Sequence, residues 1–325
     1  MKNKPAEKRD MEESKTIKRK SSKLTAYNNW GYVFVAPFVI AFLIFSVYPV
    51  IRTLYLSFTD LKIMKLNGTI NFIGLKNYIR VVQDKFFWSA LLNTIIIWGV
   101  NIVTQLGLAF LLMMVFSDVK YRMRGLSVYR LIYYLPNLIA ATSIALLFSN
   151  LLDAHYGTVN VILKQLSNTF GTKFTPIDFL GTKWPARLSI SFIQTWMWFG
   201  NSFLMLMAGV QGVSRDYLEA ASIDGAGRWT IFGKITLPLI KPIMMYVAIT
   251  SLIGGLQLFD MPYLMIPVTS QTYKHSQTAM MYLYRFAFGA KTTQVGYASA
   301  IAYTLFLIIL IVSVIQYRLF NRKED

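Results

Sequence analysis

Residues able to do chemistry are few and widely spaced in this sequence. There is no cysteine, which excludes disulfides, thiolate metal sites and cysteine nucleophiles. The two histidines, His155 and His275, lie far apart and outside the apolar stretches. They read as solvated loop residues and offer no basis for a catalytic triad or a histidine-bound metal. A phosphate cradle would need Ser or Thr after Gly233-Lys234 and a glycine five places before Gly233. Ile235 and Arg228 stand there, so the chain has no phosphate-binding loop. Two features remain: a dense polar loop over 214–238, and a carboxylate, Asp260, inside an apolar stretch.

These features must be positioned by elements of membrane type. The chain has 325 residues, 55% of them hydrophobic and only 15% charged, whereas a soluble domain is nearer half apolar and a quarter charged. The apolar excess is blocked into six stretches, 32–54, 91–116, 132–152, 188–210, 243–266 and 297–317, each close to the roughly 20 residues that cross a bilayer core. Aromatics cluster at their ends, among them Trp30, Tyr48, Trp88, Tyr317 and Phe320, as in an interfacial belt. The expected architecture is all-α, with six transmembrane helices. The division is a basic cytoplasmic tail 1–28, a membrane domain 29–320 with a cytoplasmic loop 213–241, and a short tail 321–325.

The net charge is +18. With no RNA-binding aromatic signature and no zinc-finger spacing, membrane topology explains that charge better than nucleic acid does. Lys18, Arg19, Lys20 and Lys23 lie just before the first span, which favours a cytoplasmic N-terminus. An even number of spans then places both ends inside. The first span starts too late, behind too long a charged tail, to be a cleavable signal peptide. Pro37, Pro49, Pro136 and Pro262 lie within spans, where neighbouring helices can re-satisfy freed carbonyls and kinks result.

The loop 214–238 reads first as a short helix. Ser214 can accept a first-turn amide as N-cap, and Asp216 and Glu219 suit the positive helix end. Tyr217, Leu218, Ala220 and Ala221 supply an apolar, small-residue face. Gly225 and Gly227 permit a C-terminal turn with positive φ. Such a helix, standing between two spans, is either a simple connection or a handle for a soluble partner.

The spacing decides between them by resemblance. Glu219-Ala220-Ala221, three residues to Gly225, nine more to Ile235 and one to Leu237-Pro238 resembles the EAA loop of ABC-importer permeases, with Asp224 and Ala226 fitting its extended form. Serine replaces the family's frequent proline at 214, and it can start the same helix. Ala36-Pro37, Tyr48-Pro49, the run from Phe72 to Tyr78, Phe87-Trp88, Asn93-Thr94, Leu135-Pro136, Phe259-Asp260 and the run from Gly296 to Ala300 are similar to the carbohydrate-uptake branch, with its maltose and glycerol-phosphate permeases. Pro267-Val-Thr-Ser270 stands where many relatives carry Gly-Gly-Pro, and no large outer domain is inserted.

The resemblance implies a type I importer fold. It implies a cytoplasmic-membrane permease of a prokaryote, with Glu219, Ala220, Ala221, Asp224, Gly225, Ile235, Leu237 and Pro238 forming the coupling to an ATPase. It implies a second permease, two ATPase subunits that bind ATP and magnesium in place of this chain, and an extracytoplasmic solute-binding protein. It also implies a sugar substrate, an oligosaccharide by general likeness. Sugars are held by hydrogen bonds to hydroxyls and by stacking on aromatic faces. The pathway candidates are therefore Gln194, Trp198, Asn201, Gln257, Phe259, Asp260, Tyr297 and Ser299. Against that stand plainer roles: Trp196 and Trp198 in packing, Gln257 and Asn201 as glue between helices, and Asp260 as a helix cap. An aspartate at the bilayer centre costs about 2.5–3.5 kcal/mol on insertion scales, so Asp260 should face protein or water. An ATP-independent carrier or channel would show inverted repeats or ion-relay carboxylates, and a membrane enzyme would show a clustered site. Neither pattern is present.

Overall fold

The first helix runs Trp30–Ser57 and buries none of its most apolar window within the protein. Phe34 and Phe45 are each 78% exposed, as expected of side chains that meet lipid. It is labelled α1 in a computed structural model that describes residues 30–62, 70–117, 125–289 and 293–321. The expected tail 1–28 lies outside those residues, as does the expected terminal tail apart from residue 321. The other helices are α2 (Lys76–Gln83), α3 (Lys85–Phe116), α4 (Leu126–Leu138), α5 (Ala141–Leu151), α6 (Thr158–Thr169), α7 (Lys183–Gln211) and α8 (Arg215–Ile223). They continue with α9 (228–239), α10 (Lys241–Leu256), α11 (Asp260–Met265), α12 (Tyr273–Ser276), α13 (Ala279–Phe288) and α14 (Val295–Asn321).

Among the described residues four helical stretches are each long and apolar enough to cross a membrane: Trp30–Ser57, Lys85–Phe116, Lys241–Met265 and Val295–Phe320. The stretch 132–152, expected as one kinked span, is instead two helices, α4 and α5, bent by 88°. Pro136 has no N–H to give to Ile132. The turn after it ends on an N–H of Ile139 donated to the Pro136 carbonyl at 3.3 Å, and Ile139 and Ala140 then take extended ψ values of 136° and 135°. The stretch 188–210 lies within the 29-residue α7, which composition alone does not mark as a span. It is the central helix, packed against both α3 and α4. Ser189, Ser191, Thr195 and Ser202 are buried there, so protein rather than lipid satisfies its polarity.

Because lipid is as apolar as leucine, packing and hydrogen bonds hold such helices together. Along the α3–α7 seam, Asn101 Nδ2 donates to Thr195 Oγ1 at 3.2 Å and Gln105 Nε2 to Ser202 Oγ at 2.7 Å. Bonds of this kind contribute about 0.6 kcal/mol each on average. At one point α7 crosses the α4 backbone so closely that a Cβ on Gly200 would stand 1.8 Å from the Tyr133 carbonyl oxygen.

Two prolines are accommodated by the same device. A π turn at Leu43–Val47 precedes Pro49, its register marked by the Tyr48 N–H bonding Leu43 O. A second, Phe232–Thr236, precedes Pro238, with the Leu237 N–H bonding Phe232 O. The wider turn relieves the clash between a proline ring and the carbonyl four residues back.

The motifs before and into α3 are clasps. Asn77 Nδ2 donates to the carbonyls of Ser57 and Thr59 at 2.9 and 2.8 Å, and Tyr78 OH lies 2.7 Å from Ser57 Oγ, which fixes the end of α1. Asn93 Nδ2 donates to the carbonyls of Lys274 and Gln277, and Thr94 Oγ1 accepts from the Ala279 N–H. The buried Arg187 completes this knot by donating to Asn93 Oδ1 at 2.5 Å and His275 O at 2.9 Å. His275 thus contributes a carbonyl, not an imidazole.

Asp84 caps α3, accepting from the Phe86 N–H at 2.9 Å. It also accepts from Tyr282 OH at 2.5 Å and Tyr297 OH at 2.6 Å. Burial opposes its charge, but these hydrogen bonds outweigh burial and hold the carboxyl below its ordinary value. The Arg80 guanidinium sits 3.8 Å over the Tyr297 ring. The cluster ties α2, α3, α13 and α14 together.

Candidate functional site

The loop after α7 folds as a capped helix. Ser214 Oγ accepts the Asp216 N–H at 3.3 Å, and Asp216 lies in the first turn of α8. At the other end Gly225 has φ +78°, with its N–H bonding Ser222 O at 3.2 Å and the Ala226 N–H bonding Ala221 O at 2.9 Å. That pair of bonds is a Schellman cap. Gly227 has φ −70° and starts α9, so only Gly225 uses the left-handed conformation here.

Leu218 is the one buried residue of α8. Glu219 and Ala220 are exposed and Ala221 is half-buried. Tyr217 is 60% exposed, Ile223 86% and Trp229 68%. These large apolar side chains are exposed on the same loop as the Glu219 carboxylate. Asp224 and Gly225 are exposed at the helix end, Ile235 and Leu237 are half-buried in α9, and Pro238 is exposed.

The loop is tied to the bundle by Arg228, which sequence reasoning missed as a functional residue. Its guanidinium donates to the carbonyl of Met114 at 2.7 Å and to that of Val115 at 3.3 Å. These are last-turn carbonyls of α3, which lack intrahelical partners and carry partial negative charge. A basic residue following a glycine-terminated loop helix was the available signal. We expect Arg228→Ala to loosen the loop and raise its cleavage by added protease several-fold, because the bonds to the Met114 and Val115 carbonyls are lost. Limited proteolysis in mild detergent checks this; unchanged cleavage counts against Arg228 as the tie between loop and bundle.

The second part of the site is a cavity of about 320 Å³. Six of the eight pathway candidates line it: Gln194, Trp198, Asn201, Gln257, Phe259 and Asp260. Trp198 is 43% exposed on its wall, whereas Trp196 packs against Phe148 at 5.5 Å between ring centroids. Asp260 is the first residue of α11 and is exposed. Tyr297 and Ser299 stand elsewhere. Tyr297 is 2% exposed with its hydroxyl on Asp84, and Ser299 is buried in the same helix. The cavity also takes Asn101, Gln105, Ser202, Tyr246 and Thr250, which the sequence reading did not name. The available signal was spacing: Asn101 and Gln105, like Tyr246 and Thr250, stand four apart and share a helix face.

From Phe259, aromatic rings continue through Tyr263 at 4.7 Å, Tyr284 at 5.3 Å from Tyr263, and Phe288 at 5.0 Å from Tyr284. Amide, hydroxyl and aromatic groups around one cavity can hydrogen-bond and stack against a polar solute. Among the described residues no group of three or more metal-ligating side chains occurs.

Membrane-length helices around a cavity lined by amides, hydroxyls, aromatic rings and aliphatic side chains, with a capped helix between two of them, suit a transport permease. The chain belongs to the family of binding-protein-dependent transport system inner membrane components, which it matches over residues 106–325. It is 31% identical to the lactose transport system permease protein LacF of Rhizobium radiobacter, over 92% of this chain and 96% of LacF. It is 30% identical to the arabinooligosaccharides transport system permease protein AraP of Bacillus subtilis (strain 168), over 89% of this chain and 87% of AraP. Its fold resembles that of a chain in the crystal structure of a bacterial ABC transporter involved in import of the acidic polysaccharide alginate. The TM-score there is 0.77 at 23% identity, with 94% of this chain and 100% of that chain covered.

Proposed function

We propose that this chain is one of two membrane-spanning permease subunits of an ATP-driven sugar importer, and that it takes an oligosaccharide from an extracytoplasmic binding protein. The observation that carries the reading is α8, a helix capped at both ends that buries only Leu218 while exposing Glu219, Tyr217 and Ile223. It is the coupling helix, and its partner is an ATPase subunit that binds ATP and magnesium. ATP binding closes two such subunits, and the movement passes through α8 and Arg228 to α3, whose Asn101 and Gln105 line the cavity.

The topology is six spans with both ends cytoplasmic: α1, α3, the bent pair α4–α5, α7, the stretch Lys241–Met265, and α14. The central position of α7 and its 29 residues support counting it. A cavity of about 320 Å³ lies at the low end of ligand sites, roughly 300–1,000 Å³, so an oligosaccharide needs a second permease to complete the passage. The relatives named for lactose and arabino-oligosaccharides support a sugar substrate.

The test is affinity purification of the full chain from its native membrane in mild detergent, with mass spectrometry of what accompanies it. We expect an ATPase subunit and a second permease. A stable homo-oligomer with neither, retained across several detergents, would overturn the reading in favour of an ATP-independent carrier.

A further inference from the structure

Leu75, Ile79 and Val82 are 62%, 55% and 63% exposed, on a helix whose other side is firmly held. At about 100° per residue, the positions from Leu75 to Gln83 divide into three sectors. Asn77, Tyr78 and Val81 form one, buried or half-buried against the end of α1 and against α14. Lys76, Arg80 and Gln83 form a second, which is exposed and polar; Arg80 donates from its edge to Gln294 Oε1 at 2.6 Å. Leu75, Ile79 and Val82 form the third, exposed and wholly apolar, within a sector of about 60°.

A helix lying between protein and water needs two kinds of face. Three kinds imply three surroundings. Asp84 alone separates α2 from α3, and α3 is long and apolar enough to cross a membrane. Trp88, in the first turn of α3, is 43% exposed, and such rings sit at headgroup depth. Its Nε1 donates to the Val82 carbonyl at 2.8 Å. The last turn of α2 is therefore held where water gives way to hydrocarbon. Phe86, 69% exposed, carries the apolar surface on to α3, where Leu92 is 56% exposed. Lys76 and Lys85 are exposed near the two ends of α2, and their stems are long enough to place an ammonium among phosphates.

We propose that α2 is an in-plane membrane anchor. Leu75, Ile79 and Val82 enter the upper acyl chains of the leaflet in which α3 begins, while Lys76, Arg80 and Gln83 stay with water and headgroups. The partner is lipid, gripped as an interfacial amphipathic helix grips it. The Asn77 clasp on the end of α1 and the Asp84 cluster at the start of α3 are thus borne by a helix that the bilayer holds at fixed depth.

The chain has no cysteine, so a single thiol can report from any position. Ile79→Cys and Gln83→Cys are each labelled with a small fluorophore. Each full chain is then reconstituted with its co-purifying partners in phosphatidylcholine nanodiscs. Two quenchers are compared: phosphatidylcholine carrying a nitroxide near the top of an acyl chain, and iodide in the water. We expect the lipid nitroxide to quench position 79 several-fold more than position 83, and iodide to do the reverse. Leu75→Cys, one turn back on the same stripe, should match Ile79→Cys, and it carries the test if the Ile79 variant fails to assemble.

Equal lipid quenching at 79 and 83 would overturn the anchor. So would iodide reaching position 79 where the lipid nitroxide does not, which would make the stripe a surface open to water. A position 79 shielded from both quenchers would overturn it in favour of a second protein subunit lying over the stripe.

Discussion

Reversing a single charge, Glu219→Lys, is expected to stop uptake while leaving the chain inserted and folded. Glu219 is exposed on α8, and among the described residues its carboxylate has no hydrogen bond or ion pair. The bundle therefore does not need it. On the proposed function a docked ATPase does: where Glu219 meets a cation in the docked interface, disrupting one partner of a buried, hydrogen-bonded charge pair costs about 2–5 kcal/mol, which weakens docking by a factor on the order of thirty to several thousand. A lysine also adds repulsion toward any cation that receives Glu219. Membrane abundance, ATPase co-purification and sugar uptake measured together separate docking from folding. Normal uptake would remove the main support for coupling through this helix.

The second large effect is on folding. Gly200→Val should sharply reduce the yield of assembled protein, because a Cβ at position 200 would lie 1.8 Å from the Tyr133 carbonyl oxygen and 2.4 Å from its carbon. Backbone cannot rotate away as a side chain can, so α4 and α7 must separate. Separation pulls apart the Tyr133 ring from Phe199 and Phe203, now at 5.9 and 5.7 Å, within the cluster that also holds Phe116. Overpacking costs about 1–3 kcal/mol even where side chains can give. The control is Gly107→Val, since nothing lies within 4 Å of a Cβ there. Size-exclusion profiles and thermal stability in detergent should fall for position 200 and stay near the parent for position 107.

The capped helix of the loop 214–238 was legible because its signal is local. A cap at Ser214, a helix through Glu219 and a left-handed glycine at 225 follow one another along the chain, and each is recognisable by residue type. Among the described residues four of the six expected spans were legible as lengths, and the bent pair was not legible as a shape. Leu126–Leu138 and Ala141–Leu151 together have the apolar content of one span, and periodicity carries no sign of the 88° bend between them.

The cavity was half legible. Gln194, Asn201, Gln257 and Asp260 stand out as polar residues in apolar runs. Tyr246 and Thr250 do not, because their apolar parts suit a membrane helix equally well. Tyr297 and Ser299 were chosen by type and depth; which face of α14 they occupy depends on the partner helices, and those placed Tyr297 on Asp84.

The way α1 is held bears on how the protein is made. Its principal neighbour in the bundle is α14, and Tyr303 OH bonds the Val50 carbonyl at 2.6 Å, across 253 residues of chain. Synthesis at ~5–20 residues per second delivers α14 roughly tens of seconds after α1 has left the ribosome. The earliest helix must therefore wait in the bilayer with lipid as its neighbour, which its apolar surface permits. Closure of the bundle becomes a checkpoint on translation: a chain interrupted before α14 leaves α1 undocked, an unpaired membrane helix that quality-control proteases can recognise and remove.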